Sequence, residues 1–418
     1  DLLSIKHGSM KHFRFIAVAL LTFIFASSTC GVEKDNTNNE QGEKFPPVET
    51  REPNSNYKPA FEGQTRIDGA KTNTEYQVRI IASNLTKPWG ITPLPDGRLL
   101  ITEKRGALRI ANTDGSLSEP ILGFPEVDDR SQGGLLDVAP SPNFDSDRII
   151  YFTLAERTNE GSLTAVGKGR LADDESKIEA FEIIFRAIPY FDNSMHFGSR
   201  IVFDKDGNIF VSTGERSDLA TRPKAQLLDN GYGKVIHITA NGKPVATNPF
   251  INTSNALPEI YSYGHRNPQG LAIHPVTNEL WMSEMGPRGG DELNLIESGK
   301  NYGWATITYG IEYNGNPVGD GITQHDDMEQ PIYYWDPVLS PSGMTFYTSN
   351  IIPEWQNNLF IGGLNSKHIA RLIIVDNKVV GEERLLTDED QRIRDVTDHK
   401  DGSLYAITDE GRLYKIGK

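Results

Sequence analysis

From Thr65 onward the apolar and polar positions follow one recurring phrase. A glycine leads two or three apolar residues, a polar turn with Asp-Gly or Asn follows, and a second apolar run closes it, usually on Thr, Ser or Glu. The copies are Gly90-Ile-Thr with Asp96-Gly97 and Leu99-Leu-Ile-Thr; Gly134-Leu-Leu with Asn143 to Asp147 and Ile149-Ile-Tyr-Phe; and Gly198-Ser-Arg-Ile with Asp206-Gly207 and Ile209-Phe-Val-Ser. Gly270-Leu-Ala-Ile with Asn278 and Leu280-Trp-Met-Ser comes next, then Gly343-Met-Thr-Phe with Asn357-Asn358 and Leu359-Phe-Ile-Gly. The last copy, Arg394-Asp-Val with Asp401-Gly402 and Leu404-Tyr-Ala-Ile-Thr, lacks the leading glycine. Asp-Gly between apolar runs is a strong hairpin signal, and hairpins repeated every few tens of residues are the mark of a β-propeller. Long helical periodicity is missing. The pattern predicts an all-β chain over residues 66–418, a six-bladed β-propeller with four-stranded blades; a seven-bladed propeller or a β-sandwich is the structural competitor.

Ahead of the repeats the pattern changes twice. Residues 1–9 read as an upstream extension. Met10 then opens a signal-like segment: Lys11, His12 and Arg14, the apolar run Phe15–Phe25, and small residues up to Cys30. The run is too short to span a membrane. Cys30 is the chain's single cysteine, so intrachain disulfides are excluded, and its place after Ala-Ser-Ser-Thr resembles a bacterial lipoprotein signal. The expectation is export to the periplasm or outer surface, with a lipid anchor at Cys30 as the only membrane attachment. Residues 31–65, rich in Asn, Glu, Lys and Pro, read as a flexible tether. With a net charge of −15 over 418 residues the chain lacks the basic footprint that nucleic-acid binding requires.

Glycine and proline crowd one segment: Gly264-His-Arg-Asn-Pro-Gln-Gly270, Met285-Gly-Pro-Arg-Gly-Gly-Asp-Glu292 and Asn301-Tyr-Gly-Trp304. Loops of this kind at strand ends are where scaffolds place binding groups. Pro268 biases Asn267 toward an extended backbone, so Arg266 and Asn267 project from one defined loop. Gln132, His196, Arg266, Asn267, Arg392 and Arg394 each stand at or beside the start of a phrase. If phrases begin on inner strands, these side chains converge at one mouth of a central channel. A neutral imidazole is a natural general base near neutral pH, which makes His196 the candidate base and Glu215, at the end of its phrase, the residue to orient it. The arginines, with Lys367, point to an anionic ligand held by bidentate guanidinium contacts. The backbone carbonyls of Gly286 and Pro287 are oxygen donors of the kind that suits calcium, and Glu292 and the Tyr302 carbonyl are further candidates. No dinucleotide fingerprint, Walker loop, nucleophile elbow or zinc-protease motif occurs, and no histidine pair has zinc-ligand spacing.

Taken together and in order, Gln132-Gly-Gly-Leu-Leu-Asp137, His196-Phe-Gly, the Gly264–Gly270 and Gly286–Glu292 loops, Asn301-Tyr-Gly-Trp304 and Arg392-Ile-Arg-Asp395 resemble the soluble aldose and glucose dehydrogenases that depend on pyrroloquinoline quinone (PQQ), over most of the chain from Trp89 to Lys418. The resemblance implies a six-bladed propeller that oxidises the C1 hydroxyl of aldose sugars to lactones and passes electrons to a quinone or another acceptor. It implies His196 as base, and Gln132, Arg266, Asn267, Arg392 and Arg394 around PQQ. The Gly286 and Pro287 carbonyls would hold the catalytic calcium, and Glu292 and Tyr302 a second, structural calcium. The family often has lysine directly after the leucine of a Gly-Gly-Leu phrase, where this chain has Asn365; Lys367 is the candidate replacement. The family's glucose dehydrogenases carry aspartate where Glu215 stands here. A non-catalytic binding propeller and a calcium-dependent lactonase are the alternative readings.

Overall fold

The computed structural model describes residues 45–418. The signal-like segment, Cys30 and the tether up to residue 44 lie outside the described residues. Strand β1 (Gln77–Ala82) precedes the first blade, which holds β2 (Pro88–Pro93), β3 (Leu99–Glu103) and β4 (Ala107–Ala111). Residues 117–121 take that blade's fourth position through bridges Leu108↔Ile121 and Ala111↔Leu117. The second blade is β5 (Leu135–Pro140), β6 (Ile149–Thr158), β7 (Gly161–Leu171) and β8 (Ile178–Arg186); the third is β9 (Ile201–Phe203), β10 (Ile209–Ser212), β11 (Lys234–Ile238) and β12 (Ile260–Tyr263). The fourth comprises β13 (Pro268–Ile273), β14 (Leu280–Glu284), β15 (Asp291–Ile296) and β16 (Tyr333–Trp335). The fifth comprises β17 (Pro341–Phe346), β18 (Leu359–Gly363), β19 (Ile369–Val375) and β20 (Lys378–Leu385). The sixth joins β21 (Ile393–Asp398), β22 (Leu404–Thr408) and β23 (Leu413–Gly417) to β1, whose Val78 pairs with Ile416, so the first and last strands zip one blade and close the ring.

Each phrase is the hairpin of a blade's two innermost strands. Its turn carries a residue at positive φ in every copy: Gly97 (97°), Gly207 (78°) and Gly402 (79°), Asn278 (59°) and Asn357 (60°), and Arg148 (54°) in the second copy. Apolar side chains fill the wedges between blades. One buried cluster lies in each wedge, such as Leu100, Leu135, Phe152 and Leu163 between the first two blades and Trp281, Met344, Phe346 and Leu372 between the fourth and fifth.

The inner strands β2, β5, β9, β13, β17 and β21 ring the axis, and the leading glycines exist because that ring is tight. A Cβ on Gly90 would come within 2.7 Å of Asp137 Oδ1, and one on Gly343 within 1.6 Å of Asp395 Oδ1. Between these two carboxylates lies Arg200. Its Nη1 donates to Asp137 Oδ1 at 3.2 Å and Asp395 Oδ2 at 2.7 Å, its Nε to the Gln269 carbonyl at 2.6 Å and its Nη2 to the Arg394 carbonyl at 3.0 Å. The guanidinium also lies 4.1 Å from the Trp89 ring centre. The carboxylates brace neighbouring blades as well: Asp137 accepts from Ile201 N–H and Asp395 from Ile91 N–H, each at 2.9 Å. Burial pushes both carboxyls up, Asp395 to about 7.

The tether expectation fails for residues 45–65. This stretch is a strap laid along the fourth and fifth blades. Phe45 bridges Gly69, Glu49 pairs with Arg384 at 2.8 Å, and the side chain of fully buried Gln64 donates to the Pro331 carbonyl at 2.9 Å. Its low aliphatic content misled because polar side chains hold it: Arg66 reaches the carbonyls of Glu49, Arg51 and Asp336.

Replacing Arg200 by methionine leaves Asp137 and Asp395 buried against each other without a cation. We expect a loss of about 3–5 kcal/mol in unfolding free energy, read from urea denaturation. Adding Asp137→Asn and Asp395→Asn to Arg200→Met should restore part of it.

Candidate functional site

In an antiparallel blade the start of the inner strand and the end of the second strand lie at the same face. At that face a cavity of about 680 Å³ opens. Trp89, Gln132, His196, Arg266, Asn267, Arg392 and Arg394 reach it at or just before inner strands; Lys104, Gly286, Pro287, Asn365 and Asp409 reach it just after second strands. The structure therefore brings Gln132, His196, Arg266, Asn267, Gly286, Pro287, Arg392 and Arg394 into one pocket.

His196 is 7% exposed and sits at φ 51°, a conformation unusual for any residue with a side chain. Its neighbours hold it there. Gln132 Oε1 accepts the His196 N–H at 2.8 Å, and Asn267 Oδ1 accepts Gly198 N–H at 3.1 Å. Behind the loop, buried Arg216 donates to the carbonyls of Met195 (3.2 Å), Ser162 (2.5 Å) and Asn193, and lies 4.1 Å from the Phe197 ring centre. Glu215 Oε1 stands 2.5 Å from His196 Nδ1 and also accepts Ser217 N–H at 2.8 Å. Burial, then the Arg266 charge, lower the imidazole to about 4; burial pushes Glu215 upward, but its bond to His196, the Arg266 charge and the Ser217 N–H together hold it below the usual carboxylate range. The pair is thus a neutral imidazole donating Nδ1–H to a carboxylate. Nε2 keeps the lone pair, the state a general base needs.

Six cationic side chains, Lys87, Lys104, Arg266, Arg288, Arg392 and Arg394, line the cavity against two carboxylates, Asp291 and Asp409. Asp409 is shared: it accepts Arg392 Nε at 2.9 Å and Arg394 Nε at 2.7 Å. Arg266 Nη1 donates to the Gly286 carbonyl at 2.7 Å, yet its Nε is buried without a partner. Lys104, lowered to about 8 by burial and then by Arg394, donates to the Ser131 carbonyl at 2.5 Å. Such a wall fits an anion with several carboxylates. Among the described residues no cluster of three or more His, Cys, Asp and Glu is placed for a metal. The Gly286 and Pro287 carbonyls beside so much positive charge would hold a cation only together with an anionic ligand.

Glu292 and Tyr302 lie elsewhere. With Glu284, Trp304 and Thr308 they line a void of about 10 Å³. Burial and the neighbouring Glu284 carboxylate raise Glu292 well above its ordinary range. Asn294 Nδ2 donates to both carboxylates, at 3.2 and 3.1 Å, while its Oδ1 is buried without a partner. This repelling carboxylate pair is a chemically suitable seat for a small cation.

Lys367 is not in the pocket. It is at the tip of the tight turn closed by Gly363 N–H on the His368 carbonyl, at φ 55°, and pairs with Asp390 at 2.6 Å on the surface. Asn365 faces the cavity instead and accepts from Arg392. The cation that does line the wall, Lys104, was legible only as the residue after the first phrase. Trp89, directly before Gly90, carried the same positional signal.

The glucose/sorbosone dehydrogenase family model matches residues 85–415; the strap precedes the match. The chain is 44% identical over 344 residues to the aldose sugar dehydrogenase YliI of Escherichia coli (strain K12), covering 81% of this chain and 92% of that protein. A crystal structure of a glucose dehydrogenase, 44% identical, superposes with a TM-score of 0.79 over 82% of this chain and 99% of the other. The PQQ-bound aldose sugar dehydrogenase of Streptomyces coelicolor, 26% identical, gives 0.69 over 83% and 99%.

The geometry at His196 predicts that its imidazole stays neutral until well below the ordinary midpoint of about 6.5. Nitrogen-15 NMR of the histidine ring should show titration near pH 4, and Arg266→Gln should move that midpoint upward by removing a nearby positive charge.

Proposed function

The chain belongs to the glucose/sorbosone dehydrogenase family, and we propose that it oxidises the C1 hydroxyl of aldose sugars to the lactone, with PQQ and calcium as cofactors. The observation that carries this reading is the cationic pocket in an otherwise acidic chain, with the His196–Glu215 pair in its wall. A family member solved with PQQ bound supports it.

When bound, PQQ would supply the two-electron hydride acceptor and calcium a Lewis acid. Arg266, Arg392, Arg394 and Lys104 would hold the cofactor's carboxylates, with Gln132, Asn267 and Asn365 beside it. The Gly286 and Pro287 carbonyls would hold the calcium, and Glu292 and Tyr302 a structural calcium. His196 Nε2 takes the proton of the C1 hydroxyl as the C1 hydride leaves and the carbonyl forms. Glu215 receives the Nδ1–H and stabilises the imidazolium that results. Arg216 and Gln132 keep the imidazole in place by gripping the backbone around it. The electrons then pass to a quinone or another acceptor.

The signal-like segment ending at Cys30 supports export and lipid anchorage. Mass spectrometry of the mature protein should find a lipidated Cys30 at its N-terminus.

Titration of the purified protein with PQQ and calcium, followed by dye reduction on a panel of aldoses, tests the activity. We expect calcium-dependent PQQ binding, with turnover reduced by about 10²–10⁴-fold in His196→Ala and PQQ binding retained. No PQQ binding would sink the dehydrogenase reading.

A further inference from the structure

The strap does more than cover blades. Asn54, half-buried, is part of the cavity wall. Its backbone N–H donates to Asp336 Oδ1 at 2.9 Å, its Nδ2 to the Pro337 carbonyl at 3.0 Å, and its Oδ1 accepts Arg288 Nε at 3.2 Å. Arg51 and Ser55, on either side, grip the Val338 carbonyl and Asp336 Oδ2. The strap thereby fixes the segment that brings Pro337, Val338 and Ser340 to the pocket. Exposure rises from buried His196 through half-buried Asn54 to exposed Arg288 and to Tyr313 at 72%. Asn54 and Arg288 therefore belong to the more solvent-exposed part of the cavity wall, and His196 to its buried part.

We infer that Asn54, with Arg288, is a specificity-determining residue that binds hydroxyls at the end of the sugar remote from C1. Beyond its bonds to the Pro337 carbonyl and Arg288, the Asn54 amide has a second Nδ2–H and a second Oδ1 lone pair, a donor and an acceptor of the kind that suits hydroxyls, whereas the other cations of the pocket suit carboxylates. Three hydrogen bonds hold Asn54 in one orientation, so little ordering is left for the ligand to impose. This inference rests on the sugar oxidation proposed above, and it adds a substrate contact from chain lying ahead of the family match.

The test compares wild type and Asn54→Ala as full-length protein loaded with PQQ and calcium, using glucose and maltose. The KM for maltose should rise by about fivefold from the lost hydrogen bond, with kcat and PQQ affinity unchanged and a smaller effect on glucose. Arg288→Gln should reproduce the rise in the KM for maltose relative to glucose; because Arg288 also belongs to the cationic wall, its PQQ affinity is titrated separately and both enzymes are compared at saturating PQQ. As a readout independent of turnover, hydrogen exchange in the 50–58 peptide of wild type should slow when maltose is added. Unchanged KM for both sugars, or a loss confined to PQQ affinity, would overturn the assignment. If Asn54→Ala folds poorly, Arg288→Gln and the exchange measurement decide. Wild type that binds no PQQ defeats the dehydrogenase reading, while active wild type matched by both variants defeats only this inference.

Discussion

The guanidinium of Arg200 is the point on which the inner ring is assembled. It reaches Asp137, Gln269, Arg394 and Asp395 and stacks on Trp89, so one side chain from the third blade ties the first, second, fourth and sixth. The blades of the ring meet mainly through apolar wedges, which carry little directional information, together with a few hydrogen bonds near the axis such as Asp137 to Ile201 N–H. The Arg200 bonds add direction that the wedges lack. Because Trp89, Gln269 and Arg394 also line the cavity, the bonds that close the channel set the floor of the site.

The same economy governs His196. Its positive φ, its buried imidazole and its carboxylate partner are each unfavourable or costly alone. They persist because Gln132, Asn267 and Arg216 hold the loop through its backbone. Burial first, and the positive charge of Arg266 second, keep the imidazole unprotonated, and the same positive charge makes the pocket attractive to an anion although the chain carries a net charge of −15. Local field, set by which side chains the blades gather, overrides the global charge.

The strap on the outside of the blades and the buried Glu284–Glu292 pair within the fourth blade show polar groups standing where apolar packing is usual. The strap is held by ion pairs and carbonyl contacts rather than by a hydrophobic stripe. The two carboxylates are buried and packed close enough to raise Glu292. The strap supplies Asn54 to the cavity wall, whereas the carboxylate pair lines a separate void.

Much of this was legible in the linear chain. The phrase of glycine, apolar run and Asp-Gly turn reports blade number because hairpin turns and strand alternation are local requirements, satisfied within a few residues. Gln132, His196, Arg266, Asn267, Arg392 and Arg394 were identifiable because the repeat gives each the same register relative to an inner strand. What the chain did not reveal depends on contacts between distant segments. Lys367 lies two residues beyond Asn365, the position where the resemblance called for a lysine, and a turn closed at His368 sends it to the surface, while Lys104 from another blade lines the wall. Residues 45–65 have the composition of a tether, yet they are held by partners hundreds of positions away, such as Asp336 and Arg384. Local sequence determines which strands and turns form, because their energies are local; only the closed ring decides which polar groups meet, since that depends on through-space distance.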